Sequence, residues 1–209
     1  MIKNHINYCV AVSFEKQGEK MVQSIFEDIA KNYYSIIKIT FILIVAVLAG
    51  VLLPQLFSEE IVSYMDEISN WLMQCLQGKE TFVYSGFVNN VLLYGSILVF
   101  LWLIGCNMIA VIPSIFVLAI YGLLEGIVFK IVFSLGFAYG ILLFLLNILP
   151  ANLLISFGFI LQVSSNLSVD KSFSRHSTCF FLSFILIISG CFYLTFIGPK
   201  LLEIFLNFI

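Results

Sequence analysis

The run IPSIFVLAIYGLLEGIVFKIVFSL, residues 112–135, is apolar from end to end except for Glu125 and Lys130. A bilayer core about 30 Å thick needs roughly 20 apolar residues of helix, and this run exceeds that length. Working outward, Val88 to Val111 and Phe137 to Leu161 flank it with further spans of the same kind. Ile36 to Leu56 precedes them, and Thr178 to Ile197 follows. The segments between are too short for a folded soluble domain. The fold expected is all-α: a polytopic membrane helix bundle of about five transmembrane helices, with amphipathic helices on each side.

Composition agrees. Hydrophobic residues make up 61% of the 209 and charged residues 11%, with a mean hydropathy of +1.09, whereas soluble domains carry about 25% charged residues. The bilayer is therefore the first expected partner. A net charge of -2 gives no basis for nucleic-acid binding. Residues 1–35 are polar and precede the first span, so that span reads as a retained signal anchor and not as a cleaved signal.

Short-loop cations set the expected orientation, because Lys and Arg favour the cytoplasmic side. Lys3, Lys16, Lys20, Lys31 and Lys38 lie at the amino end, and Lys171 and Arg175 precede the last span. The loop over 57–87 carries Glu59, Glu60, Asp66, Glu67 and Glu80 against Lys79. With five spans, the amino terminus falls inside and the carboxyl terminus outside. Cys75 alone would then face the oxidising side, and no intramolecular disulfide is expected.

Two amphipathic segments bracket the first span. In the cytoplasmic segment 1–35, Met21, Val22, Ile25, Phe26, Ile29 and Tyr33 recur at helical spacing. In the exoplasmic loop, Ile61, Tyr64, Met65, Ile68, Trp71 and Leu72 form one apolar stripe opposite an acidic face. Ser58 stands at the N-cap position there. The stripe needs cover from the bundle itself, the outer leaflet or a docked partner, and the acidic face gives no electrostatic pull toward anionic lipid.

Inside the bilayer, the pairs Gly122 with Gly126 and Ala46 with Gly50 put small residues one turn apart, which lets helix backbones approach closely. Glu125 lies roughly 18 Å deep if the third span enters near Pro113, and Lys130 sits near the interface. An intramembrane carboxyl costs several kcal/mol unless it is neutral or partnered. Two roles stay open for it, a hydrogen-bonded structural group or a transport site. Pro150 must free the carbonyl of residue 146, and Asn147 and Asn152 on neighbouring turns could supply it with a donor. A broken helix at this depth is also how transporters build substrate sites. His5 and His176 read as cytoplasmic.

The sequence holds no HExxH, no GxSxG, no Cys or His cluster at metal spacing and no glycine-rich phosphate loop. No catalytic residue, metal or cofactor is expected, and no enzyme activity. The oligomeric state is left open.

From Tyr94 to Phe159 the chain resembles the stage II sporulation protein M family of endospore-forming bacteria. The resemblance runs through Tyr94-Gly95, Leu101-Trp102-Leu103-Ile104-Gly105, Gly122-Leu-Leu-Glu-Gly126 and Leu149-Pro150-Ala151-Asn152-Leu153-Leu154-Ile155. The wider family usually follows that proline with histidine, glycine and a later glutamate. Ala151, Asn152 and Ser156 stand here instead, which favours the sporulation branch. The resemblance implies a scaffold in the bacterial cell membrane, at the sporulation septum or engulfing membrane. Its partners would be two exoplasmic cell-wall hydrolases, the D and P proteins of the same stage. The alternative from the residues alone is a small transporter or permease subunit built on Glu125 and the Pro150 kink.

Overall fold

The computed structural model describes residues 33–56, 83–106, 110–134, 137–168 and 173–206. All regular structure among them is helical. Helix α1 is Tyr33–Leu52, closed by a short 3-10 turn at Leu53–Leu56; α2 is Val83–Gly105 and α3 is Val111–Ser134. Helices α4 (137–167) and α5 (173–206) each contain one π-helical turn, at Phe144–Ile148 and Tyr193–Ile197. Each of the five is long and apolar enough to cross a membrane. Most of residues 1–35, and the outer stripe of Ile61, Tyr64, Met65, Ile68, Trp71 and Leu72, lie outside the described residues.

Several helices reach beyond the apolar runs that announce them. α2 starts at Val83, inside the loop expected over 57–87; α4 continues past Leu161 to Leu167; α5 spans 173–206 where only Thr178 to Ile197 reads as apolar. The extensions are polar on the face that turns inward. Gln162, Ser164, Asn166 and His176 are all buried, so partners from other helices let the helical path continue.

The outer surface is the apolar one. Phe41, Leu48, Leu92, Ile112, Phe116, Leu153 and Ile185 are all exposed, more apolar surface than water tolerates on a soluble protein. Lipid removes the usual apolar drive between helices, so close contact and hydrogen bonds must hold the bundle.

The α1–α3 pair is built on close contact. A Cβ on Gly126 would strike the Val47 carbonyl oxygen and lie 2.8 Å from Gly50 Cα; one on Gly122 would lie 2.8 Å from Ala46 Cβ. The small residues of the two helices therefore interlock. α4 and α5 meet in the same way, because a Cβ on Gly190 would fall 2.9 Å from the Ala151 carbonyl oxygen, and one on Gly158 3.0 Å from that of Ser183. α2 packs on α5 and α4, and touches α3 less. Tyr94, Tyr121 and Phe159 tie α2, α3 and α4 together by ring contacts of 4.9 to 6.3 Å.

Gly126→Val is expected to destabilise the protein by at least about 1–3 kcal/mol, since neither facing backbone can move aside cheaply. A Cβ on Gly86 meets nothing within 4 Å, so Gly86→Ala should be neutral or stabilising by up to about 1 kcal/mol. Denaturant unfolding of the two variants in detergent micelles checks the contrast.

Candidate functional site

Glu125 lies about 21 Å from the start of α3 and about 14 Å from its end, at 1.5 Å per residue, and it is buried. The side chain that meets it is Asn152 of α4, whose Nδ2 donates to Glu125 Oε2. One turn away, the Tyr121 hydroxyl and Ser156 Oγ are 3.3 Å apart, and the Tyr121 hydroxyl also reaches the Glu125 carboxyl. The register explains both contacts. Residues 121 and 125 stand one turn apart on α3, residues 156 and 152 one turn apart on α4, and antiparallel helices bring each pair opposite the other. Gly122 and Gly126 share this stretch of α3 but face α1, so the two sides of the helix do different work.

Asn152 is thus engaged by the carboxyl and does not serve the carbonyl freed by Pro150. That corrects the expectation from sequence. Leu146 O instead accepts a hydrogen bond from the Tyr193 hydroxyl of α5 at 2.9 Å. The chain meets the proline by widening into the π-helical turn Phe144–Ile148 just before it, one of the ways a helix absorbs such a break. Asn147 does not cap the break either. It packs against Gly198 of α5, where any Cβ would collide with its Oδ1, and that oxygen is buried without a hydrogen-bond partner among the described residues.

A second polar cluster joins four helix ends. Asn166 Nδ2 donates to Leu101 O at 2.9 Å and to Ser114 Oγ at 2.8 Å, and Asn166 Oδ1 accepts from Gln162 Nε2 at 3.2 Å. Beside it, the His176 ring lies 3.0 Å from Trp102 O through Nε2 and 3.1 Å from Ser165 Oγ through Nδ1. A carbonyl only accepts, so Nε2 carries the hydrogen, and in the neutral ring Nδ1 accepts from the Ser165 hydroxyl. The Trp102 indole stacks on the imidazole, with centroids 6.1 Å apart and planes 11° apart. Gly105 makes room, because a Cβ there would strike both Asn166 Oδ1 and His176 Cε1.

From sequence His176 reads as a loop residue. In the structure it belongs to α5 and is buried. The signal available was the spacing of Gln162 and Asn166, one helical turn apart and continuing the period of the preceding span. The cluster also brings a serine hydroxyl onto an imidazole, the contact that nucleophilic catalysis uses. Here the Gly105 backbone covers the imidazole edge, so the pair is a filled junction of α2, α4 and α5.

Between α2 and α3 runs a cavity of about 560 Å3 whose lining includes Tyr94, Ser96, Phe100, Ile120, Tyr121 and Glu125. Among the described residues, no group of His, Cys, Asp or Glu is placed to hold a metal ion.

In comparisons with known proteins, the chain matches no family model, no curated protein and no solved structure.

The clusters can therefore be judged only by their own chemistry, which is that of interhelical hydrogen bonding. Asn166→Leu removes donors to two helices and strands Ser114 and Leu101 O, and is expected to cost about 1–3 kcal/mol. Tyr193→Phe leaves Leu146 O without its donor, at about 0.5–1.5 kcal/mol. Thermal unfolding in detergent, followed by far-UV circular dichroism, measures both.

Proposed function

We propose that this chain is a non-enzymatic membrane scaffold that anchors and organises cell-wall hydrolases. The observation that carries the reading is the contact between Glu125 and Asn152. The carboxyl that interrupts the third span is engaged within the bundle, by an amide that gives a hydrogen bond but takes up no proton. A transported proton needs a carboxyl that alternates between open partners, and usually a relay of several ionisable groups. Tyr121, Ser156 and Asn152 around it form a structural set, and this supports a platform over a carrier.

The setting comes from the resemblance over Tyr94 to Phe159. By it, the scaffold works at the sporulation septum and engulfing membrane, with the amino terminus in the cytoplasm and the carboxyl terminus outside. Its partners are the stage II D and P hydrolases. The acidic helix read from sequence between Ser58 and Gln77 presents Ile61, Tyr64, Met65, Ile68, Trp71 and Leu72 as the docking stripe. Trp71 and Tyr64 are of the residue types that most often dominate such interfaces.

Affinity purification of the tagged full-length chain from sporulating cells tests the reading. Recovery of the two hydrolases is expected from the unaltered chain and from Glu125→Gln. It should be lost from the double variant Ile68→Glu, Trp71→Glu, which still inserts in the membrane. Undiminished recovery from the double variant would remove the docking stripe. Loss of function in Glu125→Gln with hydrolase recovery intact would favour the transporter alternative.

A further inference from the structure

We infer that the cavity between α2 and α3 binds a membrane-soluble organic cation, with Glu125 as its counter-charge and the rings of Tyr94 and Tyr121 as its aromatic walls. The inference goes beyond the scaffold reading and does not rest on it.

Access comes first. The cavity opens sideways between two spans whose rim residues Phe100 and Leu124 are 53% and 57% exposed. At this depth exposure means contact with hydrocarbon, so an occupant must arrive from the lipid phase. Its body is therefore apolar, matching Leu93, Ile97, Ile120 and Val128 along the walls.

Size comes next. The lining residues of α3 run from Val117 to Val128, about 16 Å of helix. The cavity holds about 560 Å3, inside the range of roughly 300–1,000 Å3 typical of small-molecule sites. A compact ligand fits.

Chemistry decides the class. A carboxylate has acceptor sites for about four hydrogen bonds; Asn152 and Tyr121 occupy part of that capacity and bring no positive charge. An ionised Glu125 would thus face the cavity with its charge uncompensated, in a medium where charge is costly. Aromatic rings beside such a group suit an organic cation, and Tyr94 and Tyr121 both line the cavity. The contrast within the same molecule is informative. A hollow of about 340 Å3 on the other side of α3, between Phe41, Ala46, Ala119 and Leu123, has only apolar side chains along its walls. That surface suits acyl chains, and only the α2–α3 cavity adds a carboxyl and two phenol rings.

Tetraphenylphosphonium, an apolar monocation, is the probe. Equilibrium dialysis of the purified full-length protein in detergent should show saturable binding at one site per chain. Neutral triphenylphosphine oxide of similar shape should bind at least about tenfold more weakly, a difference of about 1.4 kcal/mol. Glu125→Gln should lose affinity by a similar factor. Ile120→Trp fills the cavity from its lipid-facing rim without touching the Asn152 contact, and should abolish binding while unfolding like the unaltered chain. Equal binding of the phosphonium and the neutral oxide would overturn the inference, as would unchanged binding in Ile120→Trp. So would displacement of the phosphonium by a lysine-bearing hydrophobic helical peptide but by no other organic cation. Because the measurement uses the chain alone, its failure is separable from failure of hydrolase docking.

Discussion

A bilayer interior offers no water to hydrogen-bond, so each polar group taken into it must be answered by the chain itself. That constraint orders this protein. Its apolar side chains face outward, and its amides, hydroxyls, imidazole and carboxyl are gathered inside. Along α4 they act at three levels: Asn166 at one end, Asn152 and Ser156 in the middle, and the Leu146 carbonyl beyond them. About 21 Å of helix separates Asn166 from Asn152, so the three do not compete for partners. α4 is consequently the element to which most of the other helices are fastened.

α1 is attached by different means. Against α3, the Gly50, Gly122 and Gly126 backbones supply the contact through nearness. Dispersion between closely placed backbones is weak per atom pair, but it adds up along a continuous ridge. The bundle therefore joins α1 to α3, and α4 to α5, by close backbone packing, and adds hydrogen bonds from α4 to α2, α3 and α5. Glu125, Tyr121 and Ser114 are the α3 side chains that meet α4. Beside this junction α2 and α3 meet less closely, and the lateral cavity lies between them.

Span number and helical class were legible in the sequence because both depend on length and apolarity, which neighbours do not alter. Glu125 was legible for a similar reason, as a charge inside an apolar run. Partners were not. Asn152 has equal claims on a broken backbone and on a distant carboxyl until the rotation of α3 against α4 is known, and that rotation is fixed by Gly122 and Gly126 packing on α1, which no local pattern encodes. Tyr193 carries no mark of its role in the sequence, because an aromatic residue near a span end suits an interface anchor as well as a hydrogen-bond donor. His176 and Asn166 lay past the expected ends of their spans, where polarity is read as loop. It takes Leu101, Ser114 and Trp102, remote in the chain, to keep those turns helical.

Pro150 and Pro199 each follow a π-helical turn, Phe144–Ile148 and Tyr193–Ile197, and the hydroxyl of Tyr193 in the second turn is bonded to Leu146 in the first. Two helices thus carry their elbows side by side, pinned through one phenol. Residues 137–143 and 198–206 therefore leave the bundle from one shared joint, with a proline on each of two neighbouring rods.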